Sequence, residues 1–144
     1  MKLKSLSIAA LLGAGLLASA QAQTEIQWWH SMTAFNNEWV NTLAKEFNAS
    51  QKTYKVTPIY KGSYDESMTA AIAAFRAGNA PDILQVFEVG TATMMYSKGA
   101  IKPVAEVMKQ AGVKFDPGAY IPAVAGYYTA PNGQMLSFPF NSST

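Results

Sequence analysis

The chain has no cysteine and a single histidine, and only 14% of its 144 residues are charged. The absence of cysteine excludes disulfides, a thiol nucleophile and thiolate metal sites, and leaves no residue for a lipid anchor. With His30 as the one histidine, a histidine-rich metal centre is excluded as well. A Ser-His-Asp triad would have to use His30, and no Gly-x-Ser-x-Gly elbow accompanies it. There is no H-E-x-x-H, no phosphate-binding loop, no Gly-x-Gly-x-x-Gly and no EF-hand sequence. The charged fraction is low beside the roughly 25% of ordinary soluble domains, and the first 22 residues account for it.

Met1-Lys2-Leu3-Lys4 is a short basic start, and Ser5 to Ala18 is an uncharged run of mainly Leu, Ala and Gly. Ala20-Gln21-Ala22 then sets small residues two apart. This is the pattern of a secretory signal peptide over residues 1–22, cut after Ala22, with Ala18-Ser19-Ala20 as the alternative site. The run is shorter than the ~20 residues that span a bilayer, and no second one follows. Residues 23–144 carry nine basic and nine acidic side chains, because Lys2 and Lys4 leave with the leader. The formal charge of +2 therefore becomes zero, which excludes a basic nucleic-acid footprint. The mature chain has to be held by apolar burial alone, without the disulfides common in small exported domains. An exported chain with no anchor is expected in the periplasm of a Gram-negative bacterium.

Hydrophobic spacing predicts the elements of the mature chain. Thr24 to Trp29 reads as a strand. Trp39, Val40, Leu43, Ala44 and Phe47 fall on one face of a helix over about 35–48. Tyr54 to Tyr60 reads as a second strand, placed near an edge by Pro58. Ser63-Tyr64-Asp65-Glu66 is a capping box opening a helix that Gly78 stops. Asp82 to Phe87 is a nearly continuous apolar run, suited to a buried parallel strand. A short helix over 91–96 and another over 104–110, opened by Pro103, follow. Tyr120 to Tyr128 is ambiguous. Pro131-Asn132-Gly133 predicts a hairpin between 126–128 and 134–138. The β-α-β-α-β-α order argues for an α/β fold, a mostly parallel sheet with flanking helices.

Ligands of open α/β sheets bind beyond the carboxyl ends of the strands, where helix N-termini also point. The candidates there are His30, Ser31, Ser63, Tyr64 and Glu88. His30 either serves hydrogen bonds at a strand end or lines a cleft. Of Trp28 and Trp29, one belongs to the core and the other is free to stack on a ligand. Tyr64 either packs on its neighbours or presents its phenol to a ligand oxygen. Glu88, at the end of an apolar strand, needs a partner: an ion pair with Lys61 or Lys98, or the hydroxyls of a polyol or sugar.

Trp28-Trp29-His30-Ser31-Met32, Tyr60-Lys61-Gly62-Ser63-Tyr64, Ala74 to Ile83 and Glu88-Val89-Gly90-Thr91-Ala92, behind an export leader, resemble the extracellular solute-binding proteins of ABC importers. The likeness runs over 24–144. It implies a periplasmic-binding-protein-like fold with two lobes closing on a ligand, residues 23–144 forming a truncated first lobe. It implies a transport function without catalysis or cofactor, and a membrane ABC permease as partner. Within the family the motifs point to sn-glycerol 3-phosphate, with glycerophosphodiesters as a wider range. Tyr64, Glu88 and Ser143 match the family's ligand contacts, and Trp29, His30, Ser31 and Ser63 are expected to line the cleft. A maltose or oligosaccharide receptor of the same fold, and a secreted hydrolase fragment, are the alternatives.

Overall fold

A computed structural model describes residues 22–97 and 99–141. The expected leader, apart from Ala22, lies outside the described residues, and so do Lys98 and Ser143. β1 (Thr24–His30), α1 (Ala34–Ser50), β2 (Tyr54–Tyr60), α2 (Tyr64–Arg76) and β3 (Ile83–Leu84) alternate along the chain. α3 (Glu88–Tyr96), α4 (Val104–Gln110), a 3-10 turn (Pro117–Ala119) and α5 (Pro122–Tyr127) complete it. The strands form one parallel sheet in the order β2-β1-β3. This is the expected α/β architecture of a parallel sheet with flanking helices.

Pro58 is tolerated because β2 is an edge strand, as expected, and pairs only with β1. The free side of β2 is covered by side-chain amides. Asn48 accepts from the Val56 N–H at 2.8 Å and donates to the Val56 carbonyl at 2.8 Å. Gln51 accepts from the Thr53 and Tyr54 N–H groups and donates to the Tyr54 carbonyl. These are backbone groups that an unprotected edge would offer to another chain.

The core is small: Trp29, Met32, Val40, Ala44, Ala71 and Met135. Val40 and Ala44 carry the inner face of α1. Phe35, Trp39, Leu43 and Phe47 form an adjoining row that stays largely exposed. The row is not wholly bare. Phe140 stacks on Trp39 at 5.2 Å and meets Trp28 edge-on at 5.5 Å.

Three expectations need correction. The third strand is two residues long rather than six, since only Ile83 and Leu84 pair with β1. α3 begins at Glu88, not Thr91, so Glu88 opens a helix and does not end a strand. The hairpin reduces to one antiparallel bridge, Thr129 to Met135. Its turn forms as expected, with Ala130 and Gln134 bonded across it, but 126–127 belong to α5. Pro122 in the first turn of α5 explains the switch, because proline opens helices readily and cannot complete a ladder.

Candidate functional site

The carboxyl end of the sheet brings together the end of β1 and the starts of α2 and α3. β1 delivers His30 and Ser31. The imidazole is buried, its Nδ1 accepting from the Met32 N–H at 3.3 Å, and its carbonyl accepts from Lys61 N–H. Burial holds the His30 pKa below its ordinary value. The histidine thus serves the strand end, packed near the Trp28 and Tyr60 rings. Trp29 points into the core, with its indole N–H on Gln27 and the Lys61 ammonium 3.8 Å from its ring centre. Its ring is therefore covered, and Trp28, the partly exposed one, is engaged with Phe140.

α2 starts where the sequence pattern puts it. The Ser63 hydroxyl accepts from the Glu66 N–H at 3.3 Å, and the Glu66 carboxylate accepts from the Ser63 N–H at 2.7 Å. The charge-assisted bond from the Ser63 N–H, with the Ser63 side chain after it, holds the Glu66 carboxyl below the usual carboxylate range. Gly62 enters the box with a φ of 82°, a conformation that suits glycine. Ser63 is thereby committed to the cap, and Tyr64 becomes the first helical residue. Its ring packs on Phe87 at 5.5 Å.

Phe87 is the N-cap residue of α3, so the Tyr64–Phe87 contact brings Tyr64 and Glu88 to neighbouring helix starts. A Cβ on Gly90 would come 2.9 Å from the Met68 sulfur and 3.0 Å from Phe87. Any larger residue at 90 would force the Met68 and Phe87 side chains to shift. The Glu88 side chain is exposed. The one ion pair among the described residues is Lys55–Glu25, and Lys61 is used by Trp29. Glu88 is fixed through its main chain instead, its carbonyl accepting from the Tyr127 hydroxyl. Tyr128 stands close by: burial pushes its phenol pKa up, and its acidic neighbours add to the shift. Neither tyrosine was singled out from sequence, where 120–128 showed no clear period.

The Ser31 N–H donates to the Gln85 side chain at 3.0 Å, and the same amide donates to Asn141 at 3.3 Å. The Ser31 and Ser67 hydroxyls are buried with no partner among the described residues. Among those residues, no three His, Asp or Glu side chains come together as metal ligands. The site is an open face bearing a phenol, a carboxylate and two helix starts. It presents hydrogen-bond donors and acceptors. Two concave parts of the surface, beside α4 at Glu106 and Lys109 and near Lys52, are lined by neither Tyr64 nor Glu88.

Residues 42–144 match the family described as bacterial extracellular solute-binding protein. Three similar curated proteins carry the name sn-glycerol-3-phosphate-binding periplasmic protein UgpB. That of Rhizobium meliloti (strain 1021) is 50% identical over 99% of this chain and 33% of its own length. That of Agrobacterium fabrum is 53% identical over 100% of this chain and 34% of its own. That of Escherichia coli is 56% identical over 92% of this chain and 30% of its own. The chain spans about a third of the length of the curated relatives it matches.

Proposed function

This chain belongs to the bacterial extracellular solute-binding protein family, and on that premise we propose that it is the first lobe of a periplasmic receptor for sn-glycerol 3-phosphate. The receptor binds without catalysis and hands the ligand to the membrane permease of an ABC importer. Residues 1–22 direct export and 23–144 form the lobe. The remaining ligand contacts come from chain beyond that covered by the alignment, in keeping with the greater length of the relatives.

The observation that carries this reading is the Tyr64–Phe87–Glu88 arrangement at the carboxyl end of the sheet. It sets one hydroxyl donor and one carboxylate at adjacent helix starts, in a fold whose relatives are named for this ligand. A carboxylate repels a phosphate dianion, so Glu88 accepts from the glycerol hydroxyls. Tyr64 donates its phenol O–H to a phosphate oxygen. Ser143 supplies a further hydroxyl. Trp29 and His30 support the site from beneath, Ser63 through the cap, and Ser31 at the strand end. Glycerophosphodiesters keep both the diol and a phosphate and fit the same donors.

Calorimetric titration of the full-length protein with glycerol 3-phosphate tests the reading, with maltose as the control. Losing a charge-assisted hydrogen bond costs ~1.5–3 kcal/mol. Glu88→Ala is therefore expected to weaken binding about tenfold or more, and Tyr64→Phe by a smaller factor. Wild-type affinity in both variants, or preference for maltose, overturns the assignment.

A further inference from the structure

Gln85 does something that neither a core residue nor a simple cap requires. It is buried, at 8% exposure, although its amide is polar. Its main-chain N–H makes the last rung to β1, donating to the Trp29 carbonyl at 2.9 Å. In a parallel ladder the next rung would run from the Ser31 N–H to the Gln85 carbonyl. It runs instead to Gln85 Oε1, at 3.0 Å. The side chain thus stands in for the main chain, and the main chain is released to turn out of the sheet. Three residues later α3 opens at Glu88.

The other end of the amide is also used: Gln85 Nε2 donates to Asn141 Oδ1 at 3.3 Å. Asn141 lies two residues before Ser143. The two ends are not interchangeable, because the Ser31 N–H requires an acceptor and so leaves Nε2 for Asn141. One amide therefore ties together the end of β1, the segment entering α3 and the segment leading to Ser143.

We propose that Gln85 is the positioning residue of the ligand-binding end, holding the segment that enters α3 at Glu88 and the segment that carries Asn141 in one register against Ser31. This rests on the reading above that Glu88 contacts the ligand. An apolar residue of equal length would fill the same space, but it would strand the Ser31 N–H and leave the 139–141 segment held only by the Phe140 contacts with Trp28 and Trp39.

The test uses the full-length protein, glycerol 3-phosphate and calorimetry at a temperature where every variant is folded. Gln85→Met keeps length and volume and removes both bonds; it is expected to weaken binding about tenfold, the factor that ~1.4 kcal/mol produces. Asn141→Ala, an exposed position that leaves the core intact, is expected to weaken binding in the same direction. The double variant should bind no more weakly than Gln85→Met, because both changes break one link. A Gln85→Met protein with a lower melting temperature and wild-type affinity would make Gln85 merely structural and overturn the proposal. So would additive losses in the double variant. Hydrogen exchange of the ligand-free proteins separates this from the ligand assignment. If wild type does not bind glycerol 3-phosphate, the proposed function falls, and exchange decides for Gln85. Faster exchange at the Ser31 N–H in Gln85→Met supports its role; unchanged protection there refutes it.

Discussion

Gly62→Ala tests whether the start of α2, and with it Tyr64, is set by the capping box. The first contribution is conformational. Gly62 sits at a φ of 82°, where a side chain costs ~1–2 kcal/mol. The second is steric. A Cβ at Gly62 would fall inside contact with Glu66 Oε2 and lie 3.1 Å from Cδ and 3.3 Å from Cβ of the same residue. The carboxylate has to move, and its bond from the Ser63 N–H, 2.7 Å long, goes with it. That bond is exposed, so its loss adds little, and the conformational cost of ~1–2 kcal/mol sets the expected effect. Urea unfolding followed by circular dichroism measures it. The decisive comparison is the cycle with Glu66→Ala. Removing the carboxylate first abolishes both the clash and the bond, so Gly62→Ala should then cost only its conformational part. Strict additivity between the two, or a loss below ~0.5 kcal/mol for Gly62→Ala alone, refutes the geometry.

His30 makes stability depend on pH in a known direction. Its folded pKa is lowered by burial, so above about pH 6.5 neither state binds the proton and stability is flat. As pH falls below that value, the unfolded chain takes up a proton that the folded chain refuses. Stability then drops by at most ~1.4 kcal/mol per pH unit until the folded pKa is passed. Thermal melts between pH 5 and 8 should lose this slope in His30→Gln. Asn48→Ala removes both bonds to Val56 and is expected to cost ~1–2 kcal/mol, read by urea titration, with increased aggregation at the bared β2 edge. The exported protein should begin at Gln23, and its intact mass checks this; a mass that retains residues 1–22 would remove the periplasmic assignment.

α2 and β2 were legible because their determinants are local. The Ser63–Glu66 box and the Gly78 stop lie within the helix sequence, and the Pro58 edge position within the strand. The end of β3 was not legible, because a side chain 54 residues from Ser31 replaces the main chain there. The start of α3 was hidden for a similar reason. Glu88-Val89-Gly90 is weak helix sequence with no side-chain cap, and its helix depends on Gly90 fitting against Met68 and Phe87. Tyr127 and Tyr128 escaped notice because their relation to Glu88 spans some forty residues. Tyr64 and Glu88 were candidates by their expected place at strand ends and helix starts; Tyr64 does open α2, whereas Glu88 opens α3 instead of ending a strand.

β1 is both the first strand of the chain and the central strand of the sheet. Its cross-strand partners are distant: Lys55 is 30 residues from Glu25, and Asp82 is 55 from Gln27. Each such pairing has to close a long loop before it is rewarded, which slows folding. At ~5–20 residues per second of synthesis, the β3 partner follows β1 by roughly 3–11 s. During that interval the β3 side of β1 stays unpaired. A seven-residue strand with an open edge is a template for other unfolded chains, so a topology that puts the earliest strand in the middle of the sheet leaves it, for those seconds, in need of protection.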